Sequence, residues 1–315
     1  MKIAVIGPGA LGSLFAAGLS VGTGHEVWLL DHDRDRAARL EDTVFLSEEG
    51  AGYEAELNIT ADPEDIGSAD LVLLCVKSFA VEAALIGAAS LFHSSSLLIA
   101  FQNGISHAEI IRQAIVPGHK ALGVTSEGAT LLAPGKVSHR GTGQTSLGFP
   151  DDPGRQGRKK LEEAADVFAA AGFPCAVVAD IREYLWRKLL VNAGINGLTV
   201  IYDCNNGELL ADPRARELMA DAVREGAAVA RASGVNPGPD PVNYTEEVCR
   251  RTAGNISSML QDIHRGRPTE ITAINGALAA KAEALGIAVP VNRMIIKKVR
   301  EVEALNSNAG RPGNE

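Results

Sequence analysis

The sequence predicts an α/β domain with a doubly wound parallel sheet, followed by an all-helical domain. In the first half, short continuous apolar runs such as Leu71–Val76 alternate with amphipathic stretches such as Arg34–Leu40, a pattern typical of parallel strands covered by helices on both faces. After Asp180, strand signals nearly vanish and long helical patterns follow. The 315 residues suffice for two domains. We therefore expect a sheet domain over residues 1–179 and a helical domain over residues 180–315.

In the first half, each element is predicted from its apolar pattern. The strands are expected at Ile3–Ile6, Val27–Leu30, Leu71–Val76, Ser96–Phe101, Ala121–Val124 and Cys175–Val178. The helices are expected at Leu11–Leu19, Arg34–Leu40, Val81–Leu91, His107–Ile115 and Leu161–Ala171. Thr43–Thr60, with turn signals at Glu49 and Gly50, predicts extra strands or a hairpin. Gly128–Gly148 is rich in Gly, Thr and Ser and predicts antiparallel strands.

In the second half, the helical periodicity predicts five helices, at Ile181–Ile201, Ala215–Ser233, Val242–Ile263, Glu270–Leu285 and Arg293–Leu305. Three prolines, Pro237, Pro239 and Pro241, separate the second helix from the third. Asn306–Glu315 is polar with Gly and Pro, and we expect a frayed tail there.

Composition argues against several classes of partner. Apolar residues make up 46% and charged residues 22%, the balance of a globular protein, and the net charge of −9 disfavours nucleic acid and anionic membranes. The cysteines, none of which has CxxC spacing, are Cys75, Cys175, Cys204 and Cys249. They predict reduced, mostly buried thiols and no metal site. Without a signal peptide or a membrane-spanning run, the expected location is the cytoplasm.

A glycine motif follows the first strand. Gly7-Pro8-Gly9-Ala10-Leu11-Gly12 fits G-x-G-x-x-G and opens a helix, the context that a dinucleotide fingerprint requires. In such a motif the first glycine permits a tight turn, the second lets the backbone approach a pyrophosphate, and the third lets helix and strand pack closely. The motif predicts a Rossmann-type domain that binds NAD or NADP. The open alternatives are a plain glycine turn, or a domain that binds a flavin or S-adenosylmethionine.

The choice between the two dinucleotides is ambiguous in the sequence. Asp31 ends the second strand, where an acid can hold a ribose 2′-hydroxyl and repel a 2′-phosphate, which favours NAD(H). His32, Arg34 and Arg36 follow and could form a cationic patch for that phosphate. Each arginine could equally belong to the solvated face of a helix.

Polar residues recur along one predicted helix in the second half. Lys188, Asn192 and Asn196 are spaced i, i+4 and i+8, so they share a face among apolar neighbours. A lysine and two amides there are costly unless they line a polar pocket, although a surface stripe is an alternative. Within the predicted helix Val242–Ile263, a second face carries Asn255, Ser258 and Asp262. Glu270 lies at a predicted helix start, where acids are favoured in any case.

Taken together, these segments resemble the ketopantoate reductases (2-dehydropantoate 2-reductases) along nearly the whole chain. The matching segments are the glycine motif after Met1-Lys2-Ile3, Val76-Lys77, Gln102-Asn103-Gly104, Leu185-Trp186-Arg187-Lys188 with Asn192 and Asn196, Asn205-Asn206-Gly207-Glu208-Leu209, Asn255–Asp262 and Thr269-Glu270-Ile271. The order and spacing of these segments make the match specific.

The resemblance implies a role for each matching residue. Lys188 is implied to be the catalytic proton donor, and Glu270 the acid that helps to hold it and the substrate. The residues implied to bind substrate are Asn192, Asn196, Asn206, Asn255 and Ser258. Lys77 and Asn103 are implied to lie beside the nicotinamide half of the cofactor.

The expected reaction is reduction of ketopantoate to pantoate in pantothenate and coenzyme A synthesis. Family resemblance favours NADP(H), but the family usually carries an arginine just after the second strand, where this chain has Asp31 and His32, so NAD(H) stays possible. The expected partner is a small 2-keto acid, and the chain could be a monomer or a homodimer. Two alternatives are a related reductase of another 2-keto acid or ketone, and a dinucleotide-binding sensor without turnover.

Overall fold

The computed structural model describes residues 1–21, 23–40, 43–48 and 51–309. The chain divides into two compact units. Unit 1 comprises Met1–Gln102 and His107–Ile181, and unit 2 comprises Asn103–Ser106 and Arg182–Glu315. The short segment that contains Asn103 therefore belongs with the helical unit, although it lies within the first half of the sequence.

Unit 1 contains the β-strands of the described structure. Their bounds are β1 (Lys2–Ile6), β2 (Glu26–Leu30), β3 (Thr43–Glu48), β4 (Ala51–Glu56), β5 (Asn58–Thr60), β6 (Leu71–Leu74), β7 (Leu97–Ala100), β8 (His119–Thr125), β9 (Gly128–Ala133), β10 (Lys136–Gly141), β11 (Thr145–Gly148) and β12 (Cys175–Val177). The helices that begin in the first 180 residues are α1 (Ala10–Ser20), α2 (Arg34–Arg39), α3 (Pro63–Ile66), α4 (Val81–Gly87), α5 (Ser106–Gln113) and α6 (Gly154–Ala170).

The larger sheet has eight strands in the order β12-β11-β8-β7-β6-β1-β2-β5. The six strands from β8 to β5 are parallel, whereas β11 runs antiparallel to β8 and β12 follows the direction of β11. Strands β6 and β7 are buried along their whole length, as their continuous apolar runs require. The predicted doubly wound parallel sheet is confirmed.

A second sheet of four strands has the order β4-β3-β10-β9. The antiparallel pairs β3–β4 and β9–β10 confirm the strands predicted within residues 43–60 and 128–148, although the turn predicted at Glu49 and Gly50 lies outside the described residues. No local pattern predicts that β3 pairs with β10 in parallel, because that pairing joins segments far apart in the chain.

Helix α1 packs against strands of both sheets, which explains its small apolar residues. Every side chain and glycine from Gly12 to Leu19 is buried. Phe15 lies 5.0 Å from the rings of Phe101 and Phe168, measured between centroids. Since α1 is enclosed in this way, the start of the helix is held firmly against the end of β1.

The regular secondary structure of unit 2 is helical in its described residues. Its helices are α7 (Ile181–Tyr202), α8 (Glu208–Ala211), α9 (Pro213–Ala232), α10 (Pro241–Arg251), α11 (Ser258–His264), α12 (Ala277–Ala284) and α13 (Pro290–Ala309), and a π-helical turn spans Thr272–Gly276. The three prolines separate α9 from α10 as predicted, and Pro241 occupies the first turn of α10 behind the capping side chain of Asp240. No helix in the described ranges combines the length and the apolar character needed to span a bilayer.

Two sequence predictions for this unit were wrong, and a third, the helix over Glu270–Leu285, was confirmed with a different first turn. The helix expected over Val242–Ile263 is two helices, because α10 ends at Arg251 and the side chain of Ser257 caps a new helix by accepting a bond from the Leu260 N–H. The helix expected over Glu270–Leu285 begins as the π-helical turn and ends at Ala284. The frayed tail was expected from Asn306 onward, but α13 continues through Ala309. Residues 310–315 lie outside the described residues.

Glycines let the helices of unit 2 approach α7 closely. A Cβ on Gly194 would lie 2.7 Å from a methyl of Val223 in α9, and a Cβ on Gly197 would lie 2.3 Å from a methyl of Ile295 in α13. Both distances are shorter than carbon atoms tolerate. Helix α7 is therefore fixed between two neighbours, and so is the polar face that it carries.

Candidate active site

The glycine turn joins β1 to α1 in unit 1. Gly7 has a φ of +105°, which favours glycine, and its N–H donates to the carbonyl oxygen of Leu30 at 3.0 Å. A Cβ on Gly12 would lie only 2.0 Å from the carbonyl oxygen of Gly7, so only glycine allows the helix to pack on the turn. A Cβ on Gly9, in contrast, would meet no atom within 4 Å.

These residues fit a dinucleotide pyrophosphate. Pro8, Gly9, Ala10 and Leu11 are accessible to solvent between the buried Gly7 and Gly12. The first turn of α1 contains no acidic residue, and its N-terminus has no side-chain cap. Its N–H groups and the positive end of the helix dipole therefore suit an anion, and the exposed backbone at Gly9 gives that anion close access.

Asp31 lies directly after β2 with its side chain fully buried. Both carboxylate oxygens accept hydrogen bonds from Arg36, through Nε and Nη2, and Oδ1 also accepts the Asp33 N–H at 3.1 Å. Arg36 is therefore held by Asp31. His32 is 88% exposed, with its Nδ1 3.5 Å from Asp31 Oδ1, and Arg34 is exposed.

Lys77 follows β6, next to β1 in the sheet, and its backbone begins a 3₁₀ turn over Ser78–Ala80. Gln102 braces this strand end, because its Nε2 donates to the carbonyl oxygens of Leu74 at 2.8 Å and Val76 at 3.1 Å. Since the strands are parallel, the turn after β1, Asp31 after β2 and Lys77 after β6 all lie at the carboxyl edge of the sheet, where such folds bind ligands.

Lys188, Asn192 and Asn196 lie on the continuous helix α7, which places them on one face as their spacing predicts. Lys188 and Asn192 are half-buried, and Asn196 is only 6% exposed. This burial does not match a solvated surface stripe. Within unit 2, the face instead presents an amine and two amides from a largely enclosed position.

Glu270 is buried and precedes the π-helical turn of unit 2. The side chain of Asn103 donates from Nδ2 to Glu270 Oε2 at 2.9 Å. Gly104 makes this contact possible, because its φ is +86° and a Cβ there would lie 2.0 Å from the carbonyl oxygen of Ala273. The Asn103 segment thus packs directly on the turn that follows Glu270.

Electrostatics couple Glu270 to Lys188. Burial lowers the pKa of Lys188 to about 8 from an ordinary lysine value near 10.5, and the negative charge of Glu270 opposes that fall. An ammonium with such a pKa is mostly charged at neutral pH but gives up its proton more readily than an exposed lysine. This combination suits a proton donor.

Asn255, Ser258 and Asn206 are arranged differently from the sequence prediction. Asn255 lies in the non-helical segment between α10 and α11, so it does not share a helix face with Ser258, and both residues are exposed. Asn206 is buried, its N–H donates to the carbonyl oxygen of Asn255 at 3.0 Å, and its Nδ2 donates to Thr252 Oγ1 at 2.9 Å. Asn206 therefore holds the segment that carries Asn255.

Two supporting residues were missed in the sequence. The buried hydroxyls of Thr199 and Ser257 lie 2.6 Å apart, and Thr199 Oγ1 also donates to the carbonyl oxygen of Asn196 at 2.8 Å. This pair ties the start of α11, and with it Ser258, to the polar helix α7. No local sequence pattern predicts this contact, because the two residues are far apart in the chain.

Burial makes two of the thiols poor nucleophiles. All four cysteines are free, and burial raises the pKa of Cys175 and of Cys249 to about 12. These two are therefore uncharged at neutral pH. Within the described ranges, His, Cys, Asp and Glu form no group of three or more that could hold a metal ion.

Comparison with known proteins decides the family. Residues 3–152 match the family model described as ketopantoate reductase PanE/ApbA, and residues 180–303 match the model of its C-terminal domain. The chain belongs to the ketopantoate reductase family. The family predicted from the sequence is thereby confirmed.

Individual relatives span almost the whole chain. The 2-dehydropantoate 2-reductase of Halobacterium salinarum is 32% identical, with 95% of this chain and 98% of the relative covered. The enzyme of the same name from Vibrio cholerae is 34% identical, with 98% of this chain and 100% of the relative covered. A structure of D-mandelate dehydrogenase with NADH and anilino(oxo)acetate has the same fold, with a TM-score of 0.90. Its sequence is 31% identical, and the match covers 97% of this chain and 99% of the dehydrogenase chain.

Proposed function

We propose that this chain is a nicotinamide-dependent oxidoreductase that reduces the C2 ketone of 2-dehydropantoate to the hydroxyl of pantoate. One observation carries the proposal: half-buried Lys188 is coupled to the buried carboxylate of Glu270, and Asn103 orients that carboxylate. Full-length similarity to relatives named 2-dehydropantoate 2-reductase supports this choice of substrate.

When bound at the glycine turn, a reduced nicotinamide dinucleotide supplies the hydride for the ketone carbon. Negative charge then builds on the ketone oxygen, where the Lys188 ammonium stabilises it and donates a proton from Nζ. Glu270 keeps Lys188 charged in spite of burial, and the bond from Asn103 fixes the direction of the carboxylate. The amides of Asn192 and Asn196 orient the substrate beside Lys188.

The substrate carboxylate is assigned to Ser258 and Asn255. Both are exposed polar side chains, and their backbone is fixed by Asn206 and by the contact between Thr199 and Ser257. We assign Asn206 a supporting role, because its amide already donates within unit 2.

For the cofactor we propose NADH in preference to NADPH. The Asp31 carboxylate has about four acceptor positions, and bonds from Arg36 and Asp33 fill three of them. The negative charge of this buried carboxylate would repel an ionised 2′-phosphate bound beyond the end of β2, whereas a neutral ribose 2′-hydroxyl meets no such repulsion. Arg36 is engaged with Asp31, which weakens the alternative of a cationic phosphate site. The related D-mandelate dehydrogenase structure contains NADH.

The cofactor proposal is tested with Asp31→Asn. The dissociation constants of NADH and NADPH are measured by fluorescence titration of the wild type and the variant. We expect wild type to bind NADH at least about ten-fold more tightly, and the variant to lose about ten-fold of that preference, roughly 1.4 kcal/mol. Asp62→Asn, at the cap of α3, is the matched control and should keep the wild-type ratio. Wild-type preference for NADPH would contradict the proposal.

The substrate is tested by steady-state reduction of 2-dehydropantoate in parallel with phenylglyoxylate, the 2-keto acid that corresponds to mandelate. A specific observation favours this second candidate, since D-mandelate dehydrogenase has the same fold along 97% of this chain. We expect the higher kcat/KM with 2-dehydropantoate. A higher value with phenylglyoxylate would transfer the same chemistry to an aromatic 2-keto acid.

A further inference from the structure

The backbone of Glu270 is anchored by an unusual turn. Its carbonyl oxygen accepts the N–H groups of Ala273 and Ile274, both at 3.0 Å, and the Gly276 N–H reaches the carbonyl oxygen of Ile271 at 2.9 Å. That last bond spans five residues and defines a π-helical turn, a rare element that occurs frequently at functional sites. The position of Glu270 thus depends on where this turn lies within unit 2.

Asn275 joins this turn to helix α7. It is fully buried, and its Nδ2 donates to the carbonyl oxygen of Ala193 at 3.0 Å and to Asn292 Oδ1 at 3.0 Å. Ala193 directly follows Asn192 and lies five residues after Lys188 on the same rigid helix. One amide therefore connects the backbone segments that carry Lys188 and Glu270.

A second amide fixes the orientation of the first. Asn292 Nδ2 donates to the carbonyl oxygen of Ala222 at 3.0 Å and to Glu225 Oε2 at 2.8 Å, so its oxygen faces Asn275 as an acceptor. Glu225 also accepts the N–H of Val291 at 2.9 Å and of Asn292 at 3.0 Å. The chain of bonds runs from α7 through the π-helical turn to α13 and α9.

The amide of Asn275 is only partly satisfied by hydrogen bonds. Its Oδ1 is buried without a hydrogen-bond partner in the described structure, and a buried acceptor without a partner costs free energy. An apolar side chain would avoid that cost, but it would also remove the donor to Asn292 Oδ1 and the bond to the Ala193 carbonyl. What the amide provides is directional attachment of the turn to the Ala193 carbonyl, which an apolar side chain cannot give.

We propose that Asn275 is a positioning residue, which holds the turn after Glu270 against helix α7 and so sets the distance between the Glu270 carboxylate and the Lys188 ammonium. This inference rests on the proposed roles of Lys188 and Glu270. Asn275 itself donates no proton and binds no substrate. When Asn275 is replaced, the turn can move away from α7. The negative charge of Glu270 then stabilises the charged form of Lys188 less.

The test measures the pKa of Lys188 without turnover, by competitive labelling of the full-length protein with acetic anhydride across a range of pH. In Asn275→Ala we expect this pKa to lie about 0.5–1 below that of wild type. The reason is that the charge of Glu270, which counteracts the effect of burial on Lys188, is then farther away. The kcat at neutral pH should fall by up to about two-fold, because less of the Lys188 amine is then charged, while the Kd for NADH should stay unchanged. Asn275→Ser, which leaves a smaller cavity, should give the same direction of change if the alanine variant folds poorly.

Val229→Ala is the matched control. It truncates a fully buried side chain of α9 in the same unit and should lower Tm while leaving the pKa of Lys188 unchanged. A wild-type pKa in both Asn275 variants, or an equal fall in Val229→Ala, would overturn the proposal. Because the labelling needs no substrate, absence of 2-keto acid turnover in wild type would remove the proposed function while the pKa comparison still decides the role of Asn275.

Discussion

Replacing Glu270 with glutamine tests the electrostatic core of the mechanism. The substitution removes one negative charge but keeps the size of the side chain, and its amide oxygen can still accept the bond from Asn103. Glu270→Gln therefore isolates the charge of Glu270 from its packing. The measured group is Lys188, on which burial and Glu270 act in opposite directions.

The expected magnitude follows from the pKa of Lys188. With a pKa of about 8, roughly 90% of the Lys188 amine is charged at pH 7. A neighbouring opposite charge in a half-buried site is worth about 1–2 pKa units, so the variant should have a pKa of roughly 6–7 and be about 10–50% charged at pH 7. Because the charged form donates the proton, kcat at pH 7 should fall about two- to ten-fold.

The assay is the dependence of kcat on pH at saturating substrate, from about pH 5.5 to about pH 9.5. In wild type, kcat should decline as the pH rises through about 8, since the donor loses its proton there. In Glu270→Gln the midpoint of this decline should move to lower pH. Glu283→Gln, at an exposed surface pair with Arg293, is the control. An unchanged midpoint in a folded Glu270→Gln variant would refute the reasoning.

Three further predictions concern Lys188 and the glycine turn. Lys188→Ala should lower kcat by roughly 10²-fold or more with little change in dinucleotide affinity, and an unchanged kcat would show that Lys188 is not the proton donor. Gly9→Ala should leave Tm unchanged but weaken dinucleotide binding by about ten-fold or more, because its Cβ occupies the open approach to the turn. Gly12→Ala should lower Tm by several degrees, since its Cβ would lie 2.0 Å from a backbone oxygen, and an undisturbed Tm would contradict that packing.

Local pattern predicted much of the fold. The glycine turn, the buried parallel strands and helix α7 each carry their signal within a few neighbouring residues, and each was found as predicted. The predicted helix over Val242–Ile263 failed because apolar spacing continues across Gly254, whereas the capping hydroxyl of Ser257 starts a new helix.

Contacts between residues distant in the chain could not be predicted from local sequence patterns. The pairing of β3 with β10, the bond from Asn103 to Glu270 and the contact between Thr199 and Ser257 each join residues that are distant in the chain. The sequence alone also did not decide whether Arg36 binds a cofactor phosphate or lies on a solvated helix face. Its bonds to Asp31 give it a third role that spacing alone could not indicate.

The most direct test of the central claim is product analysis with labelled cofactor. The full-length protein is incubated with 2-dehydropantoate and NADH that carries deuterium at both C4 positions of the nicotinamide, and the products are examined by mass spectrometry and NMR. The proposed function predicts pantoate with one deuterium at C2, formed in equal amount to NAD⁺ by wild type and far more slowly by Lys188→Ala. Dinucleotide binding without any deuterated 2-hydroxy acid, from 2-dehydropantoate or from phenylglyoxylate, would contradict it.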